Sequence, residues 1–184
     1  MRHQSGVVAF DSMHKSEQKN GRLPYFLVIG ATKAGTTSLH FYLSLHPEIF
    51  MSAPKEPRFF ADAPEPLGRW NRGLDWYRGL CNTQKRLCGE TSPTYSATPS
   101  IPGVPQRTAS VLPSAKLVYM VRNPYERLAS HYLTHYRTQE TKLSFAEFLE
   151  RVPHAFDSSC YGTQLSGYLA CFPSNQILVV ESES

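Results

Sequence analysis

The first strongly apolar run of the chain leads directly into a short loop bounded by glycines and then into a helix pattern. Residues 25–29 read Tyr-Phe-Leu-Val-Ile between Pro24 and Gly30, and the loop continues to Gly35. A continuous apolar run between such breakers is typical of a parallel strand that is covered on both faces. A strand, a loop and a helix in this order therefore predict an α/β domain.

This loop has the chemistry of a phosphate cradle. Glycines let the backbone approach an anion, successive N–H groups point inward, and the positive end of the following helix adds to the attraction. A lysine inside the loop adds a full charge, and three hydroxyl residues open the helix. The predicted anion-binding residues are Lys33, Ala34, Gly35, Thr36, Thr37 and Ser38. The alternative is a turn in which glycine and threonine serve only the chain reversal and the helix cap.

The loop differs from the common nucleotide P-loop. Gly30 and Gly35 have the spacing of G-x-x-x-x-G-K-[ST], but Thr36 stands where that motif has its lysine. The second buried-strand pattern, residues 116–121, ends in Arg122 rather than in a Walker B aspartate. A P-loop NTPase or a small-molecule kinase is therefore a disfavoured alternative.

A second phosphate-binding segment follows that strand. Arg122 can direct two hydrogen bonds to one phosphate, and Ser130 can add a hydroxyl donor from the next helix. Asn123 followed by Pro124 predicts the start of this helix. Ligands of α/β domains bind at the carboxyl ends of the strands, so we expect this segment to lie near the loop. The alternative is an arginine that ties the strand end to a carboxylate.

Apolar runs alternate with helix patterns along the rest of the chain. Strands are predicted at residues 48–52, 86–90, 116–121 and 176–180, and helices at residues 74–80, 144–151 and 160–172. Pro99, Pro102 and Pro105 predict an irregular stretch. The packed face of the helix after Asn123 is predicted to hold Tyr125, Leu128, Ala129, Tyr132, Leu133 and Tyr136, with Arg127 and Ser130 on its polar side.

Together the two phosphate-type segments resemble the sulfotransferases that use 3′-phosphoadenosine 5′-phosphosulfate (PAPS), in particular the heparan sulfate enzymes and their bacterial relatives. Residues 33–37, Lys-Ala-Gly-Thr-Thr, are similar to the K-x-G-T-[TR] loop that takes the 5′-phosphosulfate. Residues 121–130 are similar to the segment in which an arginine and a serine bind the 3′-phosphate. The resemblance covers most of residues 23–183 and implies a P-loop-type, three-layer domain with a mostly parallel central sheet flanked by helices.

The resemblance also implies the chemistry. A sulfuryl group would pass from PAPS to a hydroxyl or amine of a carbohydrate or glycolipid acceptor, leaving PAP, with no metal required. Lys33 is the predicted catalytic cation on the leaving side. Glu56, in Glu56-Pro-Arg-Phe-Phe60, is similar to the glutamate that acts as general base in the heparan-type relatives, with Arg58 where histidine often stands. The alternatives are a mobile surface lysine and a solvated carboxylate paired with Lys55.

Other candidate residues remain open. His46 is an alternative base because cytosolic small-molecule sulfotransferases use histidine, but it is expected on the packed face of the first helix. Glu90 either assists the base or acceptor binding or is a structural carboxylate, and Thr91 stands where several relatives have a lysine. His131 and His135 lie one helical turn apart without a third ligand, so no metal site is predicted.

Length and charge suit one domain with an anionic ligand. The 184 residues are 41% hydrophobic and carry a net charge of +4, without an arginine-rich run that would indicate nucleic-acid binding. Residues 1–22 are predicted to be a flexible tail, and residues 23–184 a sulfotransferase domain that is incomplete at its C-terminus, because the family domain normally continues. A non-catalytic PAP-binding fragment is therefore an alternative function. The oligomeric state is left open.

The cysteines and the N-terminal segment suggest a location. The four cysteines lack C-x-x-C spacing, so free thiols are predicted, with a Cys81–Cys88 pair in an oxidising compartment as the alternative. The apolar patch at residues 7–10 is too short for a signal peptide or a membrane span. Many animal relatives are Golgi proteins with an N-terminal anchor, and the lack of one here predicts a cytoplasmic protein or a piece of a larger one.

Overall fold

A parallel sheet forms the centre of the domain. The computed structural model describes residues 21–139 and 142–182, so nearly all of the predicted tail at residues 1–22 lies outside the described residues. The strands of the described part pair in parallel in the order β2-β3-β1-β4-β5. They are β1 (Phe26–Gly30), β2 (Ile49–Met51), β3 (Leu87–Thr91), β4 (Lys116–Val121) and β5 (Ile177–Glu181).

Helices connect the strands and cover the sheet. They are α1 (Thr36–Leu45), α2 (Gly73–Gly79), α3 (Val104–Val111), α4 (Pro124–Thr138), α5 (Phe145–Arg151), α6 (Pro153–Asp157) and α7 (Tyr161–Leu169), with short 3-10 turns at Trp70–Arg72, Pro93–Ser96 and Ser174–Gln176. This is the three-layer α/β architecture that the sequence predicts.

The central strand β1 is buried on both faces. Leu27 and Ile29 belong to the larger hydrophobic core, which includes side chains of α2, α3 and α7. Phe26 and Val28 point to the other face, where Leu39 and Leu43 of α1 pack against them. Because residues alternate between faces along a strand, this burial requires an apolar residue at every position, as the sequence shows.

Two glycines shape the loop that leaves β1. A Cβ on Gly30 would lie 2.2 Å from Ser96 Oγ and 2.5 Å from the ring of Tyr119, so only glycine fits there. Gly35 caps α1 with a φ of 85°, in the left-handed region that favours glycine. The loop therefore runs close against β4 and the turn after β3.

The structure differs from the predicted elements in several places. Helices α3 and α6 begin at Val104 and Pro153 in stretches where no helix is predicted, and in both a proline occupies the first turn, where its missing N–H has no cost. The predicted helix at residues 160–172 ends at Leu169. His46 is exposed at the end of α1 rather than packed.

The predicted faces of α4 are only partly right. Leu128 and Tyr132 pack against a small core of Leu143, Phe148 and Ala155, as predicted. Tyr125 is 82% exposed, and Leu133 and Tyr136 are exposed as well, whereas Arg127 has no exposed surface. Arg127 faces inward because it has hydrogen-bond partners there, Ser159 and Thr32, which a polarity pattern cannot reveal. The prediction that Asn123 caps α4 is confirmed, since its side-chain oxygen accepts hydrogen bonds from the N–H groups of Tyr125 and Glu126.

A disulfide joins Cys81, just after α2, to Cys88 in β3. The prediction of four free thiols is therefore wrong for this pair, while Cys160 and Cys171 are free. Both paired cysteines are buried, and the chain returns to the sheet within seven residues, which brings their side chains together. The disulfide secures the start of β3, the strand that leads to Glu90 and Thr91.

We expect the Cys81→Ala/Cys88→Ala variant to unfold about 2–3 kcal/mol more easily than the wild type, because the cross-link restricts the unfolded chain over a short loop. Urea unfolding with and without a thiol reductant measures this difference. Cys160→Ala/Cys171→Ala is the matched control and should keep the response of the wild type to reductant. Equal unfolding midpoints for the wild type in oxidising and reducing buffer would contradict the prediction.

Candidate active site

The loop after β1 presents backbone donors to the carboxyl edge of the sheet. Its start is tied to β4 by a hydrogen bond of 2.8 Å from Ala31 N to Met120 O, and Ala34 N donates to Ala31 O at 3.1 Å. Lys33 and Gly35 both have positive φ, at 68° and 85°. Their N–H groups donate to no protein acceptor within residues 21–139 and 142–182. Unpaired donors in such a turn suit an anion.

A pocket of about 380 Å³ lies beside this loop and brings the two predicted phosphate segments together. Gly35, Ser38, Leu39 and Tyr42 line one side. Met120, Arg122, Glu181 and Ser182, at the ends of β4 and β5, line the other side. Arg122 thus faces the same space as the start of α1, as expected from the carboxyl ends of neighbouring parallel strands.

Arg122 is held at both its backbone and its side chain. Its N–H donates to the hydroxyl of Tyr161 at 3.3 Å, and that hydroxyl donates to its carbonyl at 2.7 Å. Its Nη2 donates to Glu126 Oε2 at 3.1 Å. The predicted alternative, an arginine tied to a carboxylate, is therefore present in the structure, although Glu126 is largely exposed. A phosphate would have to share the guanidinium with Glu126 or displace it.

Ser130 is not brought into this pocket. It lies two turns further along α4, is half-buried, and is absent from the pocket wall. Its assignment to the 3′-phosphate stays a prediction.

Lys33 is not among the residues that line this pocket. Its side chain is half-buried and is near enough to His131 to contribute to the low pKa of that imidazole. Burial is the main cause of that shift, which brings the pKa of His131 to about 4, and Arg127 and His154 add to it. Lys33 is therefore one of a cluster of basic side chains next to the loop, together with Arg127, His131 and His154.

Arg127 is the buried member of this cluster, and the sequence analysis missed it. Its Nη1 donates to Thr32 O at 3.2 Å, inside the loop, and its Nε donates to Ser159 Oγ at 2.7 Å. Its Nη2 donates to the carbonyl of Ala155. No local signal in the sequence marks it, because its partners are residues 32, 155 and 159.

Glu56 lies in a turn at the carboxyl end of β3. Its N–H donates to Thr91 O at 2.9 Å, and its φ is 59°. The carboxylate accepts hydrogen bonds of 2.7 Å from Lys55 and from Arg58. Burial alone would raise the pKa of Glu56, but these bonds and charges outweigh burial and lower it. The pairing with Lys55 that the sequence analysis gave as the alternative is present.

The Glu56 turn borders a second, cationic cavity of about 310 Å³. Its walls are formed by Lys55, Glu56, Arg58, Pro66 and Arg69. The end of β3 is connected to α1, because His40 Nδ1 and Thr91 Oγ1 share a hydrogen bond of 3.1 Å. Burial, with a contribution from Lys55, lowers the pKa of His40. His40 was not predicted, although it lies one turn beyond Thr36 on the same helix.

Glu90 is a structural carboxylate. It is fully buried, accepts a hydrogen bond from the Tyr77 hydroxyl, and accepts another from Ser92 Oγ at 2.7 Å. Ser92 Oγ in turn accepts from Arg58 N at 3.0 Å. Burial raises the pKa of Glu90 despite these donors. Glu90 therefore supports the turn that holds Glu56 and does not face the cavity.

The other histidines in the part of the chain that the structure describes show no site. His46 is at the end of α1, ten residues from its start, so it lies about 15 Å from the loop. His131 packs edge-on against Phe148 and His154. Within the described residues, no three His, Cys, Asp or Glu side chains are grouped as metal ligands.

The chain matches the sulfotransferase domain family over residues 23–184. It is 31% identical over 199 residues to the human bifunctional heparan sulfate N-deacetylase/N-sulfotransferase 2, covering 94% of this chain and 22% of that protein. It is 30% identical over 186 residues to the human bifunctional heparan sulfate N-deacetylase/N-sulfotransferase 3, covering 91% of this chain and 21% of that protein.

A solved structure agrees with these matches. The crystal structure of a sulfotransferase from Alicyclobacillus acidocaldarius has a TM-score of 0.75 and 33% sequence identity to this chain, covering 87% of this chain and 73% of that chain. The fold and the loop define a P-loop-like α/β domain. The chain belongs to the sulfotransferase family, which confirms the resemblance that the two phosphate segments indicate.

We expect His131 to make the protein less stable at acidic pH. The unfolded chain binds a proton at this residue near pH 6.5, whereas the folded protein resists protonation until about pH 4. The contribution of His131 to the free energy of unfolding is therefore fully present above pH 6.5 and is lost as the pH falls toward 4. His40 and His154 have lowered pKa values too, so the wild-type loss includes their contributions.

The His131→Gln variant isolates this contribution. Urea unfolding at a series of pH values should show a smaller loss of stability between pH 6.5 and 4 than in the wild type. His46→Gln, at an exposed position, is the control and should follow the wild-type curve. A His131→Gln curve parallel to that of the wild type would show that the prediction is wrong.

Proposed function

We propose that this domain transfers a sulfuryl group from PAPS to a hydroxyl or amine of a carbohydrate acceptor. The observation that carries the proposal is the pocket that Gly35 and Ser38 of the loop helix share with Arg122. A donor with anionic groups at both ends needs two cationic or N–H-rich sites within the length of one nucleotide. Family membership supports the same donor.

The loop residues fit the leaving side of the reaction. As the acceptor oxygen or nitrogen attacks sulfur in line, negative charge grows on the phosphate oxygen that departs with PAP. The unpaired N–H groups of Lys33 and Gly35, and the Lys33 ammonium, would stabilise this charge. Thr36, Thr37 and Ser38 add donors at the start of α1, where the helix end is positive. Arg122, with Ser130 from α4, would hold the 3′-phosphate.

Glu56 is the proposed general base. Its low pKa keeps the carboxylate ionised at neutral pH, ready to accept a proton from the acceptor. Lys55 and Arg58 occupy its oxygens in this structure, so an acceptor hydroxyl or amine would replace one of these hydrogen bonds. The hydrogen bond between His40 and Thr91 connects the strand end that holds Glu56 with α1.

The cationic cavity beside Glu56 suits an anionic carbohydrate. Lys55, Arg58 and Arg69 all contribute to its walls, and Glu56 is the acidic residue there. The curated relatives carry heparan sulfate in their names. The chain spans 22% and 21% of those proteins, so an acceptor of this kind is a proposal for this chain.

A non-catalytic donor-binding role is the second candidate. The bonding of Glu56 favours it, because Lys55 and Arg58 occupy both carboxylate oxygens and so hinder the removal of a proton from an acceptor. This role predicts PAP binding without transfer to any acceptor.

The cytoplasmic location stays a prediction. None of the described helices is both long and apolar enough to cross a membrane. The Cys81–Cys88 disulfide weighs against a reducing compartment, because such bonds form and persist mainly where the surroundings are oxidising.

Thermal unfolding tests donor binding. At a concentration of about 100 times its dissociation constant, PAP should raise the melting temperature of the wild type by about 5–10 °C. ADP, and ATP with Mg²⁺, should raise it much less. Lys33→Ala and Arg122→Ala should remove most of the PAP effect, whereas Arg137→Ala, near the exposed end of α4, should keep it. A larger shift with Mg²⁺-ATP than with PAP would refute PAPS as the donor.

Glu56→Gln tests the base. Formation of PAP from PAPS, measured with hydroxyl- and amine-bearing glycans, should slow by about 10²–10⁴-fold, because proton removal loses its acceptor. The dissociation constant of PAP should stay unchanged. Glu48→Gln, near the far end of α1, is the control and should react at the wild-type rate. A Glu56→Gln variant with wild-type turnover would exclude this residue as the base.

A further inference from the structure

The most unusual charge in the described part of the chain is buried directly behind the loop. Arg127 has no exposed surface, and its hydrogen-bond acceptors are neutral: Thr32 O, Ala155 O and Ser159 Oγ. Its Nη1 also lies 3.5 Å from His131 Nδ1. None of the ion pairs among residues 21–139 and 142–182 includes it.

Such a charge is costly unless something compensates it. Moving an ionised group out of water costs several kcal/mol in proteins, and hydrogen bonds to neutral groups recover only part of this. Burial lowers the pKa of Arg127, yet arginine stays protonated in proteins. The nearby basic groups, Lys33 and His131, add no negative charge. An anion bound on the other side of the loop would supply the missing compensation.

The bond to Thr32 also fixes the direction of a loop donor. In a trans peptide, the C=O of one residue and the N–H of the next point in opposite directions. The Thr32–Lys33 bond is not among the cis peptides. Because Arg127 holds the Thr32 carbonyl toward α4, the Lys33 N–H points away from α4, and it has no protein acceptor in the described residues.

We propose that Arg127 is a positioning residue for the donor. It aligns the Lys33 N–H through the Thr32 carbonyl, and the 5′ anionic group of the donor balances its charge. This inference rests on the proposed function, because it takes the loop as the 5′ site. Arg127 itself does not touch the donor.

A purely structural role makes a different prediction. Arg127 joins the loop to Ala155 of α6 and to Ser159, so its loss would destabilise the whole region. That damage would weaken every ligand of the pocket equally. A positioning role at the 5′ site weakens only ligands that have a 5′ anionic group.

Two nucleotides separate these roles. PAP has both 3′- and 5′-phosphates, whereas adenosine 3′-monophosphate has only the group assigned to Arg122. Calorimetric titration of Arg127→Gln should show PAP binding about ten- to a hundredfold weaker than in the wild type, because the misaligned Lys33 N–H loses its charge-assisted hydrogen bond to the 5′-phosphate. Binding of adenosine 3′-monophosphate should change less than twofold. Arg137→Gln, on the same helix, should bind both nucleotides as the wild type does.

Arg127→Lys keeps the test decisive where Arg127→Gln does not fold. It retains the charge but loses the planar guanidinium, so PAP binding should weaken at least threefold relative to the binding of adenosine 3′-monophosphate. An unchanged ratio of the two dissociation constants in a folded variant overturns the inference while the proposed function stands. A wild-type protein that binds neither nucleotide overturns the proposed function and the inference with it.

Discussion

The burial of β1 between two cores is the constraint on which the rest of the structure depends. Because both faces are covered and both edges are paired, β1 has one possible register against β3 and β4. Its end therefore emerges at a fixed place between the turn that holds Glu56 and the start of α4. The loop and Arg122 share one pocket, and the turn of the candidate base follows the neighbouring strand, because three neighbouring parallel strands end at one edge.

At that edge, positive charge exceeds negative charge near the loop. Lys33 and Arg127 lie in the basic cluster next to the loop, where the low pKa of His131 leaves that imidazole neutral, and Arg122 lines the pocket. The carboxylates among the described residues that line this pocket or pair with Arg122 are Glu181 and Glu126. Like charges brought together in a partly buried region repel one another, so the fold holds them at a cost in stability. Such an arrangement is understandable where a ligand with several negative charges is part of the working protein, and family membership supplies such a ligand class.

The sequence predicts the elements whose signals are local. The apolar run of β1, the Asn123 cap and the glycine-bounded loop each depend on a few adjacent residues, and the structure has all three. The placement of Arg127 on the polar side of α4 was wrong because its partners come from distant segments, residues 32, 155 and 159. The Cys81–Cys88 disulfide was predicted only as an alternative for a similar reason. Its formation depends on the path of the chain from α2 to β3 rather than on cysteine spacing.

The turn that contains Glu56 and Arg58 shows how a core can hold strained backbone. Glu56 and Arg58 both have positive φ, which is unfavourable for residues with a Cβ. Two hydrogen bonds oppose this strain, from Glu56 N to Thr91 O and from Arg58 N to Ser92 Oγ, and the buried Glu90 fixes that serine. Since Tyr77 donates to the same carboxylate, the packing of α2 reaches the Glu56 turn through one chain of hydrogen bonds. The position of the candidate base is thus set by hydrogen bonds to the protein interior.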